Sequence, residues 1–260
     1  MFALGCIGWV LVQWQKGDNA TVPGRLIKIR SVWAAAFSSF CMGSAFFSFL
    51  YYIAIYLQAI KGATALHSGI DSLPMILGLT TGMAIAAFSS RYCSYHAVYM
   101  LTSATLAAIG AGLISTFGLN TPSSHWIGFQ ALFGIGQGLG WQQPLLVAQT
   151  MLENKDIPVG TSLMSGCKLL GGAIFISVSS SIFNNVLGTQ LALIEGIDIG
   201  AVTAAGATGL REVVASDKLE AVLLAYDKGL KSVFHCAVAM SCIAVVGAVC
   251  IEWKPVEKKK

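Results

Sequence analysis

Apolar residues run along this chain in long blocks separated by short polar hinges. Six blocks approach or exceed the roughly 20 residues that a bilayer-crossing helix needs: 32–57, 70–90, 97–117, 126–147, 161–183 and 233–251. A seventh run, 1–14 (MFALGCIGWVLVQW), is apolar but short and reads as the second half of a helix. The pattern predicts an all-α polytopic membrane bundle of six full spans plus one partial span. Gln58 to Gly69 reads as a short outer hairpin between the first two full spans. Ser68-Gly69-Ile70-Asp71 has the S-x-x-D form of a capping box, so Ser68 is expected to satisfy an orphan amide at the next helix start. Asp71 then sits at that helix's positive end, with a direct part in transport as the alternative. Pro74, one turn in, is expected to bend the helix entry. In the long polar connection 184–232, Leu219, Val222, Leu223, Tyr226 and Leu230 recur at helical spacing after Asp217 and Glu220. That spacing predicts an amphipathic helix lying on the outer surface.

Composition changes the picture in one respect: it names the solvent. Hydrophobic residues make up 55% of the 260 positions and charged residues 11%, against about 25% charged in ordinary soluble domains. A water-exposed globule cannot hide that much apolar side chain, so lipid must cover it. The 28 glycines fit close helix packing in a bilayer. The net charge of +4 is dispersed between apolar runs, which gives no basic face for nucleic acid. It carries topology instead. With the C-terminal tail inside, ten basic residues (Lys16, Arg25, Lys28, Arg30, Arg91, Lys155 and the four lysines of 254–260) fall on inner segments. Five (Lys61, Arg211, Lys218, Lys228 and Lys231) fall on outer ones. The positive-inside rule favours this orientation. It makes 15–31 a cytoplasmic loop, 184–232 extracellular and 252–260 a cytoplasmic basic tail. The seven cysteines lie in or beside apolar runs at no metal-ligand spacing and read as small buried hydrophobes.

Candidate chemistry is confined to a few side chains. Gly134, Gly136, Gly138 and Gly140 alternate within 126–147, giving two overlapping G-x-x-x-G spacings. They let neighbouring backbones approach closely. Gln130, Gln137 and Trp141 share one helical face, as glue between helices or as a substrate-lining wall. Ser48, Tyr52 and Tyr56 share a face of 32–57, and Tyr56 also suits an interfacial aromatic belt. Lys168 lies about two turns inside 161–183, where a charge must snorkel to the interface or find a partner. Asp71 and Lys168 are therefore the candidate pathway charges. No acid falls near the middle of any predicted span, and no nucleophile-elbow, H-E-x-x-H or P-loop pattern occurs. An enzyme, a cofactor and a metal are not expected.

YYIAIYLQAIKGATALHSGIDSLPMILG, WIGFQALFGIGQGLGWQQP and the ending GAVCIEWK resemble the C-terminal half of fungal major facilitator superfamily exporters. The subgroup is the fourteen-span drug:proton antiporter type, which includes toxin and multidrug efflux pumps. VPGRLIKIRSVWAAAF resembles the approach to that family's ninth helix. The resemblance covers nearly the whole chain. It implies a two-half helical bundle with a substrate cavity between halves, worked by rocking, and 32–57 and 126–147 as cavity walls. It further implies efflux of small, largely apolar organic compounds across the plasma membrane by proton antiport. The implied partners are the small-molecule substrate, protons, the lipid bilayer, and a missing N-terminal half or a second copy. Lys168 departs from the pattern, because relatives more often carry an uncharged polar residue there. The alternative function is a non-transporting membrane subunit, structural or regulatory, that binds another transporter.

Overall fold

A computed structural model describes residues 24–92 and 95–252. The partial span 1–14, most of the loop 15–31 and nearly all of the tail 252–260 lie outside the described residues. The described chain is helical, with no strand among the described residues. A short α1 (Gly24–Ile27) leads into α2 (Arg30–Ala59), followed by α3 (Ala65–Asp71), α4 (Leu73–Ser89) and α5 (His96–Ile114). Next come α6 (Ser123–Trp141), α7 (Gln143–Met151), α8 (Ile157–Leu191), α9 (Ile199–Val213) and α10 (Leu219–Val249).

Five segments are long and apolar enough to cross a membrane: α2, α3 with α4, α5, α8 and α10. The glycine- and glutamine-rich α6 is not among them, yet it holds the bundle together. It packs along α4 on one side and α5 on the other. The alternate glycines explain how. Residues two apart on a helix face nearly opposite ways, so Gly134 and Gly138 meet α4 while Gly136 and Gly140 meet α5. A methyl group on Gly134 would overlap the Met75 carbonyl oxygen, and one on Gly138 that of Leu79. Gly78 and Gly82 return the contact from α4 against Ala131 and Ile135. On the opposite face Gly136 abuts Ala107, Gly140 abuts Ser103, and the Ser103 hydroxyl donates to the Gly136 carbonyl at 2.6 Å.

The second group is α2 flanked by α8 and α10, with α10 also reaching α5. Gly43, Gly171 and Gly172 permit the α2–α8 approach, with the Lys168 carbonyl and Phe40 at the contact. An aromatic seam joins the groups: Phe49 of α2 lies 4.8 Å from Phe133 and 5.5 Å from Phe234. At the predicted inner end, Arg25 pairs with Asp156 at 2.9 Å, and Arg30 donates to the Cys250 carbonyl at 2.9 Å.

Several sequence expectations are corrected. The block 126–147 is two helices broken at Gln142, because Pro144 has no N–H to continue the ladder. The helix begun in 161–183 runs on to Leu191. Residues 219–230 are not a separate surface helix. They are the first three turns of α10, continuous with the last span, and Val222, Leu223, Tyr226 and Leu230 are buried. The helix resting on the predicted outer surface is α9 instead, seated through Val202 and Leu210, with Arg211 donating to the Ile60 carbonyl at 3.2 Å. Ser68 caps nothing. Thr64 is the N-cap of α3, accepting from the His67 N–H at 3.3 Å, while the Ser68 hydroxyl donates to the Ala65 carbonyl.

Candidate functional site

The predicted lining residues come together, but in the packed interior rather than on an open wall. Ser48, Tyr52, Tyr56 and Gln137 are each 1% exposed and Gln130 is 0% exposed. Trp141 alone is partly exposed. The face of α6 bearing Gln130, Phe133 and Gln137 looks into the bundle, where Phe133 meets Phe49. Gln130 Nε2 donates to the Asp71 backbone carbonyl at 3.2 Å, tying α6 to the α3–α4 turn. The carbonyl oxygens of Gln130 and Gln137 find no hydrogen-bond partner among the described residues. Each such buried acceptor, left without a donor, costs on the order of 1–3 kcal/mol.

Along α2, Ser48 accepts a long hydrogen bond from Ser179 of α8 at 3.4 Å. Tyr52 packs against Phe183 at 5.7 Å, and the Tyr56 hydroxyl donates to the Gly118 carbonyl at 2.9 Å. Tyr56 is thus anchored inside the end of the bundle that the sequence predicts to face outward. Next to it, Lys61 donates to the carbonyls of Leu119 and Thr121, both at 2.8 Å. Burial pulls the Lys61 ammonium below the usual lysine range. Asp71 contributes its backbone carbonyl to Gln130, and its carboxylate caps neither α3 nor α4.

Lys168 does not snorkel. It is 7% exposed, its ammonium donates to the Trp141 carbonyl at 2.6 Å, and it sits 4.1 Å from the centroid of the Trp141 ring system. The break at Gln142 strands the last carbonyls of α6. A cation placed there also meets the negative end of the helix. Lys168 is therefore the C-terminal cap of a broken membrane helix, lent by a neighbour. Phe46 closes the site at 4.9 Å from Trp141. The signal in the sequence was Pro144, which breaks α6 where a carbonyl then needs a donor.

Sequence reasoning missed two features. Asp227 falls in the predicted outer loop, yet the structure buries it in α10 at 6% exposure, 2.7 Å from Lys231. Exposed small and polar side chains also lie along one side of α8 (Ser162, Gly166, Ala173, Ser177, Ser181 and Asn184), interrupted by the exposed Leu169 and Leu170. Ser177 and Ser181 donate to the carbonyls four residues back, so each hydroxyl is satisfied within its own helix.

Comparison with known proteins gives a consistent result. No family model matches the chain. At the level of whole sequences it is 40% identical over 261 residues to an MFS-type transporter, astH, of Aspergillus oryzae, covering 100% of this chain and 46% of that protein. An MFS-type efflux pump, MFS1, of Arthroderma benhamiae is also 40% identical, with 100% of this chain and 49% of that protein covered. A rubrofusarin-specific efflux pump, aurT, of Gibberella zeae is 39% identical over 244 residues, covering 94% of this chain and 45% of that protein. The chain spans about half the length of the curated relatives it matches. Multi-pass membrane helices, the close glycine crossings and this likeness over essentially every residue agree, and the chain belongs to the major facilitator superfamily, similar to fungal members named as transporters and efflux pumps.

Proposed function

We propose that the chain supplies one half of an exporter that moves small, largely apolar organic molecules out across the plasma membrane in exchange for protons. It is a carrier and not an enzyme. The observation that carries the proposal is the likeness, along nearly the full chain, to proteins named as efflux pumps. The geometry is compatible with it. In a bilayer, an open stripe of serine, glycine and asparagine on a spanning helix suits a watery or protein-lined route better than lipid tails. The small and polar positions of α8, with Leu169 and Leu170 exposed among them, make such a face. The buried amides Gln130 and Gln137 and the Tyr52–Tyr56 ladder stand behind that wall and become accessible when helices part. Cargo is held against aromatic and small side chains, and rocking against a second half, or a second copy, exposes it to alternate sides.

The test is transport by the 260-residue chain reconstituted in liposomes together with the N-terminal half of a full-length relative, with a lipophilic fluorescent dye as cargo and an imposed pH gradient. Dye is expected to move against the proton flux, and a protonophore is expected to stop it. Dye flux equal to that of protein-free liposomes, with or without the gradient, contradicts the proposal.

A further inference from the structure

Lys168 is a buried cation without a carboxylate partner. It is the one buried basic residue among the described residues. The ion pairs among those residues are Arg25–Asp156, Lys155–Glu153 and Lys231–Asp227, and none includes it. Its position is about two turns inside the apolar block that begins at 161. Capping the Trp141 carbonyl occupies one N–H of the ammonium, and a lysine carries three. A hydroxyl or an amide would cap a single carbonyl with no charge to bury. The site therefore holds a positive charge and donor capacity beyond what the helix break requires.

The surroundings of that charge are aromatic. The ammonium lies 4.1 Å from the centroid of the Trp141 ring system. Phe46 stands 4.9 Å from Trp141 and 5.5 Å from Phe47. The Phe47 ring packs onto Gly172, one turn along α8 on the face that bears Lys168. Trp141 and Phe47 are only partly buried, so the aromatic rim reaches the surface of the bundle while the ammonium beneath it is closed off. Flat rings stack well against side chains of this kind.

We propose that Lys168 selects the charge of the cargo, and that this chain takes aromatic molecules carrying a carboxylate; this rests on the export proposal above. The rings lie against Trp141 and Phe47, and a carboxylate oxygen accepts from the Lys168 ammonium once the Trp141 ring turns aside. The attraction is strong because the ammonium has already been stripped of water, where a surface lysine would be screened. A neutral analogue meets the same rings and leaves the charge uncompensated. A cationic one brings a second positive charge into the same low-dielectric site and is rejected. The step is a change of hydrogen-bond and ion-pair partners, with no covalent or redox chemistry.

Equilibrium dialysis of the full chain in an uncharged detergent at about pH 7 tests this, with naphthoate as the anionic probe and naphthamide as its neutral counterpart. Saturable binding is counted after subtraction of protein-free micelles. The native chain is expected to hold naphthoate at least about tenfold tighter than naphthamide, the order of advantage that a charge-assisted hydrogen bond has over a neutral one. Lys168→Met and Lys168→Gln, the second keeping a donor for the Trp141 carbonyl, are each expected to bring that ratio to about one. Each variant is first checked for a monodisperse peak. A ratio near one in the native chain overturns the inference without any variant. So does the absence of saturable naphthoate binding, or a native ratio that either folded variant preserves. The two proposals fail separately. Dye transport by the reconstituted halves with no preference for naphthoate removes the charge selection and keeps export. The Lys168-dependent preference without transport removes export and keeps the anion site.

Discussion

Gly138→Ala is expected to lower the folding equilibrium constant of the detergent-purified chain by about ten- to a hundredfold. One methyl group is added, and on an ordinary exposed helix it would be welcome. At this position it would occupy the space of the Leu79 carbonyl oxygen, with the Gly82 Cα at 2.9 Å and the Met83 nitrogen at 2.9 Å. All three neighbours are backbone, so no side chain can swing aside. The α4 and α6 axes must separate, which loosens the reciprocal contacts at Gly78, Gly82 and Gly134. Overpacking of this kind costs about 1–3 kcal/mol, a large share of total stabilities that run near 5–15 kcal/mol. Gly128→Ala on the same helix is the control. Nothing lies within 4 Å of its added carbon, and exchanging glycine for alanine in a helix gains about 0.5–1 kcal/mol. Thermal melting followed by size-exclusion chromatography separates the two outcomes, with one melting point falling and the other holding or rising.

Lys168→Glu should be more damaging still. The native ammonium meets the Trp141 carbonyl at 2.6 Å and the negative end of α6. A glutamate puts a carboxylate against a carbonyl oxygen and a helix C-terminus of the same sign, in a site from which water is excluded. Uncompensated buried charge of this kind costs about 3–5 kcal/mol. Lys168→Met makes the sign of the effect informative. Methionine removes the cost of placing a charge at mid-span, about 2.5–3.5 kcal/mol on insertion scales. It also strands the Trp141 carbonyl, at about 1–3 kcal/mol. These two nearly cancel, so the methionine variant should melt within a few degrees of the native chain while the glutamate variant fails to give a monodisperse peak. If methionine and glutamate are equally damaging, the lysine has some role other than capping the broken helix.

The sequence made some of this architecture legible and concealed the rest, for physical reasons that differ by residue. The spans and the alternating glycines were readable because hydropathy and G-x-x-x-G spacing are local properties of one segment. That Gln130, Gln137 and Trp141 share a face was equally local. Whether that face looks into the bundle or onto a cavity depends on which helix lies opposite, and no spacing within α6 encodes it. Lys168 illustrates the same limit. Its depth was readable, but its partner is a carbonyl at a helix break beside Pro144, 24 positions earlier. Asp227 was misplaced because the polar start of α10 looks like loop when hydropathy is averaged, although its apolar residues already kept helical spacing. Ser68 lost the capping role to Thr64, which has no acid three residues on, because the chain turns into the helix at Thr64 and the capping-box pattern does not locate that turn.

At the centre of the account stands α6, too rich in glycine and glutamine to qualify as a span by hydropathy, yet expected to cross the bilayer because it packs between α4 and α5. Asn120 and Asn154 flank the α6–α7 pair and are both exposed. The most direct measurement places a single cysteine at each position in turn, in a cysteine-free chain, and treats intact cells with a membrane-impermeant maleimide. Asn120→Cys is expected to react from outside, and Asn154→Cys only after the membrane is opened. Reaction of both from the same side would mean that α6 and α7 do not cross the membrane, and the bundle described here would be wrong.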